Sequence, residues 1–306
     1  MKEASGRKIK VEVIQLVAAF EDKASNLKKI LELLDEGAKK EPDLIILPEL
    51  CTTPYWCLRK DYRYFDWAET IPGPTLEAIG RKAKKHSCSI VVPIFEKGRV
   101  EGEYYNSAAV VGPSGELIAG ALSNGSDVKC YRKVHIPTIE RPPVHNDEKF
   151  YFRPGLGFPV FVTPKAVIGI LICWDRCFPE GWRVLALQGA EVIIMTSAIP
   201  SVSLTERVSR EEQFLSEMCI RAFENQTFVV GCNRGGTESF TGTEIRFFGR
   251  SCVIDPFGSV LSQAPPAEPA QLCETLDLDR IKEARFTFPL YHDRRPDLYS
   301  IISEPR

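Results

Sequence analysis

The run Val167-Ile168-Gly169-Ile170-Leu171-Ile172 passes directly into Cys173-Trp174-Asp175-Arg176, and it constrains the fold more than any other stretch of the chain. An unbroken apolar run rich in Val and Ile, bounded by polar residues, reads as a strand buried on both faces. Strands of that kind belong to parallel sheets with helices laid over them. In such sheets the chemistry collects just beyond the carboxyl ends of the strands, where the chain turns into loops and helix N-termini. Cys173 stands at such an end. Pro179 suits a first helical turn, and Trp182, Leu185, Ala186 and Leu187 come after it at roughly helical spacing. The local order is therefore strand, cysteine, helix. Taken alone, the thiol equally suits a small buried core residue.

The same alternation runs along the rest of the chain. Val11, Val13 and Ile14-Gln15-Leu16-Val17 suggest a first strand, and Leu27, Ile30, Leu31 and Leu34 recur at the spacing of an amphipathic helix. Asp43-Leu44-Ile45-Ile46-Leu47 is a second buried strand, and its end, Pro48-Glu49-Leu50, places a carboxylate where the other strand places a thiol. An aromatic, turn-rich segment from Thr53 to Trp67 suits either a pocket wall or a subunit contact, and Pro72-Gly73-Pro74 opens another helix. Ser89 to Phe95 and Tyr104 to Val111 read as strands, the latter turning at Gly112-Pro113-Ser114-Gly115 into a hairpin. Tyr131-Arg132-Lys133-Val134-His135 starts a long irregular segment that runs to Pro159, and irregular stretches of that length are usually functional. Strands at Ala190 to Met195, Gln226 to Gly231 and Gly249 to Leu261 alternate with a helix from about Leu204 to Glu224. The expectation is an α/β fold in one domain, 1–306, with two layered sheets, a charged leader over residues 1–8 and an aromatic, basic arm from about 280 to 306 docked on another surface.

Bulk composition removes several classes of function. With 306 residues, 44% hydrophobic and 26% charged, the chain has the make-up of a soluble globular protein. A net charge of −2 leaves no basic field to attract nucleic acid or an anionic membrane. No stretch reaches the roughly 20 apolar residues needed to span a bilayer, and Met1 to Lys10 lacks an apolar signal core; the expected location is cytoplasmic. The ten cysteines are scattered singly, without a Cys-x-x-Cys pair or zinc-like Cys/His spacing. They read as reduced core residues with one chemical exception, and no metal is expected.

Glu49, Lys133 and Cys173 each follow or sit in an apolar run. Separately they have ordinary readings: a cap, a solvated lysine, a core thiol. Together they make a chemistry. A thiol with a solution pKa of about 8.5 needs a base or a nearby cation to act as a nucleophile at neutral pH. Glu49 is a candidate base, and Lys133 and the backbone N–H of Trp174 are candidate donors to an oxyanion, a role in which one donor contributes about 3 kcal/mol.

The segments Leu47-Pro48-Glu49, Tyr131-Arg132-Lys133-Val134-His135 and Ile172-Cys173-Trp174-Asp175, in that order, resemble the signature of the nitrilase superfamily of carbon-nitrogen hydrolases. The likeness extends to Tyr151-Phe152-Arg153-Pro154-Gly155, Arg221 to Gln226, Asn233-Arg234 and Phe248-Gly249-Arg250-Ser251, and so covers nearly the whole chain. It implies a four-layer α-β-β-α sandwich that pairs into a homodimer or larger homo-oligomer, with Glu49 as base, Lys133 as oxyanion stabiliser and Cys173 as nucleophile. A second glutamate is implied between the lysine and cysteine motifs, with Glu148 fitting and Glu140 as rival. Neither a metal nor an organic cofactor is implied, and the partner is a small amide or carbamoyl compound.

Within the superfamily, Cys173-Trp174-Asp175-Arg176 with Pro179-Glu180-Gly181-Trp182 after it resembles the N-carbamoyl-amino-acid amidohydrolases, and Cys51-Thr52-Thr53-Pro54-Tyr55-Trp56 resembles the β-ureidopropionases. Arg176 then stands where a guanidinium meets a substrate carboxylate, with Trp174, His145, Asn146 and Ala198 as further substrate contacts. Cys177, where a second arginine is usual, and Ser197-Ala198-Ile199 look more like the N-carbamoylputrescine amidases. The expected reaction takes an N-carbamoyl amino acid to amino acid, CO2 and ammonia through a thioester-type intermediate. Alternatives are an N-carbamoylputrescine amidase or other aliphatic amidase or nitrilase, a Cys-His hydrolase using His135 or His145, and a non-catalytic metabolite-binding member.

Overall fold

Successive residues of the first strand, Lys8–Gln15, go to opposite sides: Ile9, Val11 and Val13 enter one apolar cluster and Ile14 another. This is the two-residue period of a pleated strand with both faces covered. Leu44–Ile46 and Ser89–Lys97 repeat it, with Leu44, Ile46 and Val91 on one side and Ile45, Ile90 and Val92 on the other. The second set packs under helices α1 (Lys23–Gly37) and α2 (Pro74–His86). Asp22 caps α1 by accepting from the N–H groups of Ala24 and Ser25, and Pro74 opens α2. In this computed structural model residues 6–18, 21–141, 144–201 and 209–305 are described.

Across the first sheet the strands run Ala270–Asp277, Lys8–Gln15, Leu44–Ile46, Ser89–Lys97, Tyr104–Val111, Tyr131–Arg132. Across the second they run Val260–Gln263, Cys252–Ile254, Phe228–Cys232, Val192–Thr196, Val167–Ile172, Val160–Val162, Gly120–Ala121, Asp127–Val128. Val11, Leu44 and Val91 of the first meet Ile168, Ile170 and Ile194 of the second in one core. A four-residue helix α3 (Glu148–Tyr151) lies in the connection between sheets. Helices α4 (Pro179–Leu187) and α5 (Arg210–Asn225) cover the second sheet through Trp182, Leu185, Phe214 and Met218. The architecture is the α-β-β-α sandwich.

The central strand Val167–Ile172 is fixed by its register and by one glycine. It is parallel to Val192–Thr196, which is parallel to Phe228–Cys232, with Ile172 opposite Thr196 and Thr196 opposite Cys232. Cys173, Ser197 and Asn233 therefore leave the sheet side by side. A Cβ placed on Gly169 would come within 2.9 Å of the Leu185 side chain, so the glycine is what lets α4 lie close on this strand.

The structure departs from the sequence reading in several places. The first strand starts at Lys8, inside the expected leader, and Arg7 just before it pairs with Glu191 while its carbonyl accepts from the Leu278 N–H. The irregular segment contains a hairpin, Ile139–Arg141 with Val144–Asn146, and then α3. A second hairpin, Gly235–Phe240 with Thr243–Phe248, and the edge strand Ala270–Asp277 lacked a strong apolar run and were not expected. The helix expected from Leu204 begins at Arg210, capped by Ser209, and residues 204–208 lie outside those described. Trp56 packs on Trp67, Phe95, Tyr151 and Phe152, so the aromatic segment builds an internal cluster of this chain. Beyond α6 (Asp279–Thr287), Tyr291 donates to the Asn225 carbonyl, after which Leu298, Tyr299, Ile301 and Ile302 are exposed. Among the described residues no helix is long and apolar enough to cross a membrane.

Candidate active site

Three chain segments converge at the carboxyl edge of the paired sheets. Glu49 follows Leu44–Ile46, Lys133 follows Tyr131–Arg132, and Cys173 follows Val167–Ile172. Two of these exits use left-handed backbone: Cys173 has φ 48° and Leu50, next to Glu49, has φ 49°. Non-glycine residues hold that conformation at a cost of about 1–3 kcal/mol and keep it only where surrounding contacts impose it. Asp175, fully buried, supplies such contacts by accepting from the Ile172 N–H at 3.1 Å, the Tyr131 hydroxyl at 2.5 Å, and the His135 N–H and Nδ1 at 2.9 and 2.8 Å. Arg234, also fully buried, donates to the carbonyls of Glu49, Leu50 and Thr53 and is paired with Glu238.

At the centre is a buried ion triplet. Lys133 Nζ lies 3.0 Å from Glu49 Oε1 and 2.6 Å from Glu148 Oε2, and all three side chains are inaccessible to solvent. Glu49 also accepts from Asn106 at 2.8 Å and from the Ala198 N–H at 2.9 Å. Glu148 accepts from the Tyr55 hydroxyl at 2.8 Å. Of the two candidate second glutamates, Glu148 is thus the one beside Lys133, whereas Glu140 sits exposed in the Ile139–Arg141 hairpin. Arg132 forks the Glu96 carboxylate and stacks on Tyr105, which anchors the strand that delivers Lys133.

The electrostatics reflect this crowding. Burial disfavours the Lys133 ammonium, but Glu148 and Glu49 outweigh it and hold the pKa well above the usual lysine range. Burial raises the Glu148 carboxyl. Burial also pushes the Cys173 thiol up, and Glu49 and Glu148 add to that while Lys133 opposes it. Burial first, and the two carboxylates second, therefore disfavour the thiolate in the free site more than Lys133 favours it, which leaves a base such as Glu49 to take the proton. Because the thiol pKa is raised, the thiolate fraction keeps growing above pH 9. Alkylation of Cys173 by iodoacetamide is expected to accelerate throughout about pH 6 to 9.5, beyond the midpoint of about 8.5 of an ordinary cysteine. A rate plateau near neutral pH would contradict it.

A narrow cavity of about 50 Å³ opens above this group, lined by Tyr55, Glu148, Cys173, Trp174, Arg176 and Ala198 among others. Asn146 is also on its wall, with its amide donating to Tyr55 at 2.7 Å, and His145 is there too but half exposed and turned to Asp147. Larger surface hollows exist, including one of about 490 Å³ beside Glu96 and Arg132, but its Cys130 thiol faces the Glu96 carboxylate and has no buried lysine. His135 stacks on Phe178 at 3.7 Å and bonds to Asp175, so neither candidate histidine is bonded to Cys173. Arg176 also lines the cavity; its side chain is 3% exposed and its Nε lies 2.7 Å from Glu217 Oε2, so its charge is met by a residue of α5. Among the described residues no group of three or more His, Cys, Asp and Glu side chains is placed to hold a metal ion.

Sequence reasoning missed Asn106, Tyr55, Arg234 and Glu238 as supports of the site. A signal existed for two of them: Asn106 interrupts the apolar run Tyr104–Val111, and Arg234 comes just after the buried strand Phe228–Cys232.

The chain is similar to known proteins over nearly its whole length. The carbon-nitrogen hydrolase pattern matches residues 10–286. An N-carbamoylputrescine amidase of Solanum lycopersicum is 34% identical over 291 residues, covering 93% of this chain and 92% of its own. A citrullinase of Francisella tularensis is 33% identical over 296 residues, covering 96% and 98%. The crystal structure of a carbon-nitrogen hydrolase from Helicobacter pylori G27 superposes with a TM-score of 0.84 at 30% identity, over 97% of this chain and 99% of that one. The chain therefore belongs to the carbon-nitrogen hydrolase family, within the nitrilase superfamily, and is an enzyme that hydrolyses carbon–nitrogen bonds.

Proposed function

We propose that the enzyme hydrolyses the carbamoyl group of an N-carbamoyl amino acid, yielding the amino acid, CO2 and ammonia, with Cys173 as nucleophile. The observation that carries this is Lys133 held between Glu49 and Glu148 at the mouth of the strand that ends in Cys173. Glu49 takes the thiol proton as the substrate enters. The sulfur then attacks the carbamoyl carbon, and the developing oxyanion is met by Lys133 and the Trp174 N–H, which lies in a first helical turn and so has no intrahelical partner. Glu49 returns its proton to the departing nitrogen, which leaves as ammonia, then activates water to cleave the remaining S-carbamoyl intermediate; the carbamic acid released loses CO2 to give the amino acid. Glu148 holds Lys133 in place and faces the substrate nitrogen.

The names of the relatives support a carbamoyl substrate of some kind, and they favour N-carbamoylputrescine as a second reading. The pocket wall carries Arg176 and Arg210, which suits an anionic tail better than a cationic one. An ammonia-release screen over N-carbamoyl-D-, L- and β-amino acids, citrulline, N-carbamoylputrescine, simple amides and nitriles decides between them. The first group is expected to be turned over best, and preference for N-carbamoylputrescine would reverse the assignment. In the same assay Glu49→Gln is expected to lose activity by about 10³-fold or more while His135→Ala keeps the acylation step; the opposite pattern would restore the Cys-His reading.

We assign the working unit to a homo-oligomer of one-domain subunits in a reducing, cytoplasmic setting. Support comes from the exposed apolar residues Leu298, Ile301 and Ile302 in the arm 280–306 and from ten cysteines that are all free thiols.

A further inference from the structure

The pocket wall carries two guanidinium groups, Arg176 and Arg210, and one carboxylate, Glu148, which is already paired with Lys133; the carboxylate that meets Arg176 is Glu217 of α5. Arg210 and Glu217 are two turns apart on the same face of α5. Both Glu217 oxygens are engaged: Gln213 donates to Oε1 at 3.1 Å, and Arg176 Nε lies 2.7 Å from Oε2. Arg210 is left over. It lines the cavity beside Cys173 and Ala198, its Nε is buried, and no hydrogen bond or ion pair of the described residues reaches it. Burial and the neighbouring Arg176 charge both disfavour its charged form. A buried polar group without a partner is costly, and the group that relieves an unpaired guanidinium is an anion with two coplanar oxygens.

We propose that Arg210 is the carboxylate-binding residue of this pocket, that Arg176 and Glu217 form a scaffold pair, and that the substrate is a carbamoyl compound whose non-reacting end is a carboxylate. The inference rests on the carbamoyl reading of the site and sharpens it. The reacting carbamoyl group sits at Cys173 and the carboxylate lies toward the N-terminal turn of α5. Arg176 contributes by holding Glu217 away from Arg210, which keeps the Arg210 fork free for the ligand.

The test measures binding separately from turnover. Calorimetry on the Cys173→Ala protein uses N-carbamoyl-β-alanine, N-carbamoyl-γ-aminobutyrate and citrulline, each beside its primary amide. The acids are expected to bind more tightly than the amides. Adding Arg210→Gln is expected to weaken the acids on the order of 30-fold or more and the amides less than about threefold. Arg210→Lys, which keeps the charge and loses the fork, should fall between. Arg176→Gln, which releases Glu217 to pair with Arg210, is expected to weaken the acids more than the amides but by less than Arg210→Gln does. Equal losses for acid and amide in Arg210→Gln, selective loss in Arg176→Gln alone, or no saturable binding of any acid would each overturn the inference. If the acids bind through Arg210 but the wild-type enzyme turns none of them over, the carbamoyl reaction falls and the carboxylate site stands.

Discussion

Cys173→Ala is expected to abolish ammonia release, by on the order of 10⁴-fold or more, and to leave thermal stability nearly unchanged. The magnitude is that of removing a nucleophile from a group that acts as a unit. The stability side is a matter of size. Sγ is a small group beside a water-accessible cavity, so its loss opens little new apolar void, and the Ile172 and Asp175 contacts that hold the turn do not involve the thiol. Retained activity in a folded Cys173→Ala protein would sink the mechanism. A large loss of stability would show instead that the thiol is chiefly a packing group.

Lys133→Met is expected to fail twice over. It removes the oxyanion donor, a loss of about 10²- to 10³-fold in kcat on its own. It also strips the ammonium from between Glu49 and Glu148. Leaving a buried charge without its partner costs about 3–5 kcal/mol, which for a domain of this size is a fall in Tm of about 10 °C. The double variant Lys133→Met with Glu148→Gln is expected to regain much of that stability, because one of the stranded charges is gone, and to regain no activity. Coupling of this kind is what residues in one network show. If the double variant were less stable than the sum of the two single changes, the triplet would not be a single electrostatic unit.

The three central residues were legible because each follows or sits within a strongly apolar run, and a strand buried on both faces announces itself by composition alone. Glu49, Lys133 and Cys173 needed no contact map to be singled out. Glu148 was not separable from Glu140 by sequence, since both lie in one irregular segment and the choice depends on how the Ile139–Arg141 hairpin and α3 fold back. Arg234 and Asn106 each left a local trace, a polar residue within or just after an apolar run, but what they hold was not legible. Their work is to hold backbone and carboxylate across roughly 185 and 57 residues of sequence, and no local pattern reports such a pairing.

The sequence by itself pointed to the layering and to Glu49, Lys133 and Cys173 as the candidate site, because strand burial, helix spacing and the choice of Glu, Lys and Cys at strand ends are local properties. Charge balance was decided only in three dimensions. How strongly Cys173 is held as a thiol depends first on its burial and then on two carboxylates set against one ammonium drawn from three distant segments. Which arginine is free depends on α5 lying across the pocket, where Glu217 meets the charge of Arg176 and no described residue is bonded to Arg210 Nε. Electrostatic energy falls with distance and not with sequence separation, so the chain order that placed Arg176 three residues after Cys173 carried no information about which guanidinium faces the ligand.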